Sequence, residues 1–388
     1  MQCYLDMASN GVIGNKHLVS PFAYSLAVPL IVRGLAHLLN LESAIAFHLC
    51  AYTACMAFVV CCFYFARSVG AGVVSGVLTG VTLALNFNIV KWALFAGTMV
   101  DIYVYPLILL AFWLILRKRF YACLAVSGIG LFFKEFMLLP LLTQAAALAV
   151  RKWQTFPRRQ WLKDLIKPLS ITLLVLLVCF LLPRLLIHVE RAVKDYAGVA
   201  PIDPFRNPAS LRRLYSFPAN IRRDFNIVFA YFSWWLPVLL LLDTRRLQLL
   251  WDRLQPYRLV CALFLGFHFL LVMYGGTNLD IFATYSLPIL IMVLIVLLEE
   301  GAVQLWEKIL MVLLVFLFNR IWMHIPLPQQ DLHTYLNFYG GFDDLVTRRS
   351  LFRMTELLVY VTGAGALRAL LYSRNRAPVI EAVTHDFR

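Results

Sequence analysis

The sequence predicts an all-α, polytopic helical membrane protein, from its composition and from the spacing of its apolar runs. Of its 388 residues, 61% are hydrophobic and 14% are charged, against about 45–50% and about 25% in typical globular domains. A soluble protein of this size could not bury so much apolar surface in one core. The runs are continuous, unlike the roughly ten-residue alternating segments of an outer-membrane barrel. The composition also excludes a disordered chain and a coiled coil.

Most of the apolar runs approach the length of a transmembrane helix, since a bilayer core of about 30 Å needs about 20 helical residues. The first run, 22–39, contains Arg33, His37 and Pro29, and Pro21 directly precedes it. We expect it to be an interfacial helix that lies on the membrane. We expect about 11 transmembrane helices from the remaining runs, which are 44–66, 70–86, 101–116, 120–133, 136–150, 169–187, 226–242, 257–274, 281–298, 306–323 and 354–372.

The orientation follows from the short basic loops, because cytoplasmic loops of membrane proteins collect Lys and Arg. The net charge of +14 is therefore attributed to topology, and we expect no nucleic acid as a partner. Loop 188–225 is basic although we expect it to be external, which is acceptable because long loops are translocated largely regardless of charge. The expected cytoplasmic segments are 117–119, 151–168 and 243–258.

We predict a single integral membrane domain over residues 1–388, in a multi-pass protein of the bacterial inner (cell) membrane. Its expected parts are an external loop and interfacial helix at 1–43, transmembrane helices over 44–372, external loops at about 188–225 and 324–352, and a cytoplasmic tail at 373–388. No Cys/His cluster has zinc spacing. The sequence establishes no cofactor, although a divalent cation would be compatible with its carboxylates.

Charged residues near the predicted external border are the candidates for chemistry, because a charge within a span is costly and by default suggests a function. Asp6 lies in the N-terminal polar segment, and Asp101 and Asp280 each precede or open an apolar run. Each of these three aspartates has a plainer interpretation, as a solvated loop residue or a helix cap. Lys134 and Glu135 are adjacent opposite charges between two apolar runs, where a snorkelling turn is the plainer alternative.

Three further residues are candidates for binding a substrate. Tyr103 follows Asp101 by two positions, where it would suit an interfacial belt or a sugar-stacking surface. Arg222 and Arg223 come just before the run that begins near Asn226. At that depth they could hold a phosphate-bearing lipid headgroup or serve as plain anchors.

Several short segments follow one another in a definite order along the chain. They are Tyr4-Leu5-x-x-Ala8, Pro21-Phe-Ala-Tyr-Ser-Leu-Ala-Val-Pro-Leu30, Asp101 with the basic cluster 117–119, Lys134–Glu135 with Pro140, and the late turn Gly275–Pro288. Each is weak alone, but together their order resembles that of the C-type (GT-C) membrane glycosyltransferases. Members of that superfamily use polyprenyl-phosphate-linked sugars.

The chain departs from that superfamily at two points. Members begin with a transmembrane helix and often carry the catalytic Asp just upstream of the Tyr-Leu segment, which here corresponds to Met1–Cys3 or beyond. We expect that the sequence lacks this first helix, and Asp6 is a substitute candidate for the catalytic residue. In addition, Ser25 stands where many relatives have Arg.

The resemblance implies an inverting transfer of a sugar from a polyprenyl-phosphate donor at the external, periplasmic face. A carboxylate would act as general base on the acceptor hydroxyl, and Arg or Lys would meet the charge of the departing phosphate. The acceptor would be a glycan, a lipid or a protein, and membrane lipid is a further partner. The predicted catalytic residues are Asp6, Asp101 and Glu135, and the predicted substrate-binding residues are Lys134, Arg222, Arg223, Asp280 and Tyr103.

Three other functions remain open from the sequence. A polytopic transporter or flippase would use intramembrane charges as relays and tends to show two related halves, which the sequence lacks. An O-antigen-type polymerase or ligase handling lipid-linked glycans would suit the basic loop 188–225. A catalytically inactive membrane scaffold is the third.

Overall fold

The computed structural model describes residues 2–12, 15, 19–20, 24–155, 158–187, 191–192, 221–274, 279–322 and 348–374. Most of the predicted external loops and the predicted tail therefore lie outside the described residues, as do the side chains of Arg222, Arg223 and Asp280. The described part is helical throughout, apart from a two-residue parallel pairing of Val19–Ser20 with Arg191–Ala192. The all-α prediction is confirmed for this part of the chain.

The helices have the following bounds in chain order. The first ten are α1 Gln2–Asn10, α2 Ala27–Leu39, α3 Ser43–Ser68, α4 Val73–Ala84, α5 Trp92–Phe95, α6 Asp101–Leu116, α7 Phe120–Leu131, α8 Leu138–Thr155, α9 Arg158–Val175 and α10 Leu182–Leu186. The others are α11 Ile221–Trp234, α12 Leu236–Leu241, α13 Thr244–Arg253, α14 Arg258–Tyr274, α15 Leu279–Thr284, α16 Leu287–Glu300, α17 Leu305–Phe318 and α18 Arg348–Arg374.

Four apolar stretches of the described helices are long enough to cross a membrane, namely Ser43–Ser68, Lys163–Leu186, Gln255–Met273 and Leu351–Leu371. A fifth is added if α4 and the following segment Ile89–Phe95, which are bent by 58°, form one span. Several apolar helices are shorter, including α6, α7 and part of α11. A multi-pass helical membrane protein is consistent with these helices, and the count of about 11 spans stays a prediction.

Two of the predicted runs are broken helices. Run 226–242 is divided at Trp235 into α11 and α12, and run 281–298 is divided at 285–286 into α15 and α16. Pro237 and Pro288 stand in the first turns of α12 and α16. Proline is accepted there because its missing N–H would have no intrahelical partner, but it cannot continue a preceding helix.

The N-terminal segment is not a loop as the sequence predicted, because α1 covers Gln2–Asn10. Its buried side chains Cys3, Tyr4, Met7 and Ala8 have the i, i+4 spacing of one helix face. They pack into a small core with α2 and the start of α3. The sequence analysis did not detect this short apolar stripe, because the N-terminal segment is polar when its residues are averaged.

Polar contacts between distant segments lie at the two ends of the helices. At one end, Tyr285 reaches Asp101, and Asn319 reaches Phe87. At the other end, Glu299 accepts a hydrogen bond from the backbone of Gly72. The 14 residues of α16, about 21 Å at 1.5 Å per residue, separate these ends. The first end contains the segments predicted to be external, and the second contains the segments predicted to be cytoplasmic.

A buried carboxylate organises the predicted cytoplasmic end. Glu307 at the start of α17 accepts two hydrogen bonds from Arg246, at 2.8 and 2.9 Å, and one from Arg368 at 2.6 Å. Asp243 caps α13 through the backbone N–H of Arg246. A buried charge is tolerated when it is paired and fully hydrogen-bonded. This network therefore fastens α13, α17 and α18 to one another.

We predict that Asn10 and Gln154 lie on opposite sides of the membrane. Both are exposed, the first beside the Asp101 end and the second near the far end of α8. In a cysteine-depleted background, a membrane-impermeant maleimide should label Asn10→Cys in intact cells and Gln154→Cys only after permeabilisation. Labelling of both variants in intact cells, or the reverse order, would show that the topology is wrong.

Candidate functional site

Asp101 is the centre of a polar cluster at the predicted external end. It is the first residue of α6 and only 5% exposed. Its Oδ1 accepts a hydrogen bond of 2.6 Å from the Tyr285 hydroxyl, and the Lys134 ammonium lies 3.6 Å from the same oxygen. The position at a helix N-terminus also favours a negative charge. Asp101 thus has three separate sources of stabilisation for its carboxylate.

Lys134 is delivered to Asp101 by a tight turn between α7 and α8. Its backbone is extended, with φ −163° and ψ 144°, and its N–H donates to the carbonyl of Gly130. Gly130 packs so closely on Met137 that an added Cβ would lie 2.5 Å from Cγ of that residue. Only glycine allows this approach without displacement of its neighbour. The two short runs 120–133 and 136–150 therefore form a helical hairpin, with the charged pair at its tip.

The charge of Lys134 is maintained by the carboxylates around it. Burial favours the neutral amine and lowers the pKa of Lys134. The carboxylates of Asp101 and Glu135 outweigh burial and hold that pKa above its usual value. Lys134 is therefore a fixed ammonium at neutral pH, and it can meet a negative charge that develops near it.

Aromatic side chains enclose the cluster on the side of α15 and α16. Phe136 stacks on the Tyr285 ring, with centroids 4.2 Å apart and planes inclined by 12°. The Tyr105 hydroxyl lies 2.7 Å from Oγ1 of Thr284. Tyr105 and Tyr285 are fully buried. These rings exclude water from one side of the Asp101–Lys134 pair, which strengthens their attraction.

Tyr4 and Ser25 close the cluster from the N-terminal segment. Burial raises the pKa of the Tyr4 phenol, and the opposing effect of Lys134 only partly offsets it. The Tyr4 and Ser25 side chains are both buried, and Tyr4 lies near enough to Lys134 for the ammonium to affect its pKa. The backbone N–H of Ala27 donates to the carbonyl of Phe132 at 2.9 Å, which ties this segment to the Lys134 turn. Tyr4 is thus a neutral hydroxyl beside a fixed ammonium.

Glu135 differs from Asp101 in its surroundings. Its side chain is only partly buried, at the start of the short 3₁₀ segment Glu135–Met137. Within the described part of the chain, its carboxylate has no hydrogen-bond donor and no ion pair within 4 Å. Glu135 is therefore an uncommitted acceptor next to a cluster whose other carboxylate is fully engaged.

The structure brings together three of the predicted site residues, Asp101, Lys134 and Glu135. Asp6 lies on the half-exposed side of α1, two residues and therefore about 200° around the helix from Tyr4, and it is not among the partners of Asp101. Tyr103 donates to the carbonyl of Phe47 at 3.4 Å, so its hydroxyl also lies apart from Asp101. The catalytic role of Asp6 and the binding role of Tyr103 stay predictions.

The remaining predicted site residues are described only by their backbones. Arg222 and Arg223 lie in the first turn of α11, and Asp280 lies in α15. These two helices pack against each other, and α15 leads directly to Thr284 and Tyr285. The first turn of α11 thus belongs to a helix that packs against α15, the helix that leads into the cluster.

Sequence reasoning did not select Tyr4, Tyr105 or Tyr285 as site residues. Tyr4 and Tyr285 both belong to segments whose order underlies the family resemblance. That order was the one sequence feature that could have pointed to these two tyrosines. Tyr105 follows Asp101 by four positions, the spacing that puts two side chains on one helix face. No group of three or more His, Cys, Asp or Glu side chains in the described residues could hold a metal ion.

No protein-family model, curated protein or solved structure matches this chain. The resemblance to the GT-C glycosyltransferases therefore rests on the order of the short segments alone. In the structure, residues from four of those segments lie in the Asp101 cluster.

We predict that Tyr285→Phe destabilises the protein by about 1.5–3 kcal/mol, the value of a hydrogen bond to a charged group. The matched control is Tyr103→Phe, which removes a longer bond to an uncharged carbonyl and should cost clearly less. Reversible unfolding of both variants in detergent would measure the difference. Equal effects would mean that the Tyr285–Asp101 bond has no special role in the fold.

Proposed function

We propose that the protein is an integral membrane glycosyltransferase that moves a sugar from a polyprenyl-phosphate donor to an acceptor hydroxyl at the external face. One observation carries this proposal. Tyr4, Asp101, Lys134 and Tyr285 come from four segments whose order resembles that of the GT-C enzymes, and they lie within one cluster. Nothing in the order of the segments requires their side chains to meet.

The proposed enzyme has about 11 transmembrane helices with the cluster at the external border. In support, the ends of helices predicted to be external contact one another, and the predicted cytoplasmic ends do the same. The parallel pairing of Val19–Ser20 with Arg191–Ala192 joins two segments that are both predicted to be external. The short and broken helices would cross the bilayer in pairs or where it is locally thinned, since a span needs about 17–25 residues.

We assign the general base to Glu135. Its carboxylate is partly exposed and uncommitted, so it can accept the proton of an acceptor hydroxyl as the oxygen attacks the anomeric carbon. Attack opposite the phosphate would break the bond between that carbon and the phosphate oxygen, with inversion. Asp101 is engaged by Tyr285 and Lys134 and is assigned the role of holding the ammonium in place.

Lys134 supplies the positive charge nearest to the proposed reaction. Ser25 stands where many GT-C relatives have Arg, and here it is a small buried side chain. In this proposal Lys134 provides the cation of the site. A fixed ammonium in a water-poor site stabilises a departing phosphate more strongly than it would in water.

A donor lipid has a suitable path beside α11. An apolar cavity of about 480 Å³ lies between α11 and α14 and includes Ile227, Tyr231 and Phe269 in its lining. Its lining begins at Ile227, about one helical turn after the first turn of α11, which contains Arg222 and Arg223. A helix N-terminus favours an anion through its free N–H groups and dipole. The phosphate is proposed to bind at this turn, with the polyprenyl chain in the cavity.

We predict that Glu135→Gln lowers sugar transfer about 10²–10⁴-fold, the usual contribution of a general base, without loss of folded protein. Mass spectrometry of polyprenyl-phosphate sugars in membranes from expressing cells would follow consumption of the donor. The control is Glu42→Gln, which alters an exposed carboxylate on the same predicted side. Donor consumption by Glu135→Gln at the rate of the unmodified protein would exclude Glu135 as the base.

We also predict that the double variant Arg222→Lys/Arg223→Lys binds a short-chain polyprenyl phosphate about ten- to a hundredfold more weakly than the unmodified protein. An ammonium cannot reproduce the planar, bidentate contact of a guanidinium with phosphate. Arg245→Lys, an exposed arginine at the opposite end, is the control. If the double variant binds the lipid as tightly as Arg245→Lys does, the two arginines are only interfacial anchors.

A further inference from the structure

A second apolar groove lies far from the Asp101 cluster, between α4 and α17. Its cavity volume is about 590 Å³. Its walls are branched and aromatic side chains, among them Val74, Leu78 and Val81 of α4 and Ile309, Val312 and Phe316 of α17. Val74, Val81 and Ile309 are 73%, 43% and 59% exposed, so the groove opens outward. The proposed site of sugar transfer does not use it.

Hydrogen bonds join the two sides of the groove at both of its ends. At one end, the backbone N–H of Gly72 donates to Glu299 at 2.5 Å. At the other end, the backbone N–H of Phe87 donates to Asn319 at 3.1 Å. The residue before α4 is thus tied to α16, and the segment after α4 is tied to the residue that follows α17, so the spacing of α4 and α17 is set at both ends.

The outward face of α4 is unlike a surface for another transmembrane helix. Helix interfaces within membranes are enriched in small residues that let backbones approach. The small residues of α4 are already buried, and a Cβ added at Gly76 or Gly80 would contact Phe63 or Val59 of α3. The groove face instead presents Val and Leu, which are typical of contact with lipid chains.

One positive charge marks the groove. Lys308 is the charged member of the lining and lies one turn from Leu305, at the end predicted to be cytoplasmic. Within the described residues it has no ion-pair partner within 4 Å. A lysine at the membrane border can extend its ammonium to the headgroup region and attract anionic lipid.

The length of the groove fits one leaflet. From Leu305 to Phe316 the helix rises by about 16 Å, roughly half of a hydrocarbon core of about 30 Å. We infer that the α4–α17 groove binds one acyl chain of an anionic phospholipid of the cytoplasmic leaflet, with the lipid phosphate at Lys308.

Native mass spectrometry of the full-length protein with phosphatidylglycerol or phosphatidylcholine tests this inference. Phosphatidylglycerol should bind more tightly, and Lys308→Ala should reduce that affinity about fivefold, the effect of one basic residue near an anionic surface. Lys163→Ala, which removes an exposed lysine on the same predicted side, should leave the affinity unchanged. Equal binding of the two lipids to the unmodified protein would overturn the inference.

A second pair of variants tests the groove itself, independently of charge. Val81→Trp would fill the groove and should reduce retention of phosphatidylglycerol at least fivefold. Val77→Trp is the control, because Val77 is 51% exposed on the same helix but does not line the groove. If the two variants retain the lipid equally, or if the protein is a dimer that only Val81→Trp dissociates, the groove does not hold a lipid chain.

Discussion

The attraction between the Asp101 carboxylate and the Lys134 ammonium is the contact on which the half of the molecule predicted to be external depends. A carboxylate that is 5% exposed would be very costly without a cation and a donor. The cation comes from the turn between α7 and α8, and the donor comes from the turn before α16. Satisfying one buried charge therefore fixes three segments that are far apart in the sequence.

The opposite end of the helices is held by the same physical requirement with different chemistry. Glu307 is buried and receives two guanidinium groups, from Arg246 and Arg368. Both arginines also donate to backbone carbonyls, of Leu241 and Leu240 respectively. This carboxylate is fully enclosed by structural partners, and we assign it no chemistry. The Asp101 cluster differs because a partly exposed carboxylate, Glu135, lies beside its fixed charges.

Much of the helical structure follows from the sequence, because apolar runs of this length have few other solutions in a membrane. Run 101–116 coincides with α6, and runs 120–133 and 136–150 correspond closely to α7 and α8. The breaks at Trp235 and at 285–286 were not predicted, although Pro237 and Pro288 mark both. The helix α1 was missed because only four of its side chains form the buried stripe, too few to stand out from a polar average.

The candidate site shows a different limit of sequence reasoning. Rarity of charge identified Asp101, Lys134 and Glu135, since each ionisable group in an apolar setting needs an explanation. The same criterion could not identify Tyr285, because the chain has 17 tyrosines. Only its contact with Asp101 distinguishes Tyr285 from the others. Nor could that criterion tell Asp101 from Glu135, which are equally conspicuous in the sequence.

The contrast between those two carboxylates decides how the site could work. A carboxylate that accepts from Tyr285 and pairs with Lys134 is stabilised as an anion and has few free lone pairs for a substrate. Glu135 has neither of these partners, so the lone pairs of its carboxylate stay available to a substrate. Lys134 lies next to Glu135 in the chain and beside Asp101 in space, so its ammonium interacts with both carboxylates. In the proposed mechanism, Asp101 positions the ammonium, and the ammonium in turn stabilises negative charge near Glu135, the proposed base. A substrate that brings a hydroxyl to Glu135 and a phosphate to Lys134 would complete the set of charges. A lipid-linked sugar phosphate with an acceptor alcohol has that chemistry.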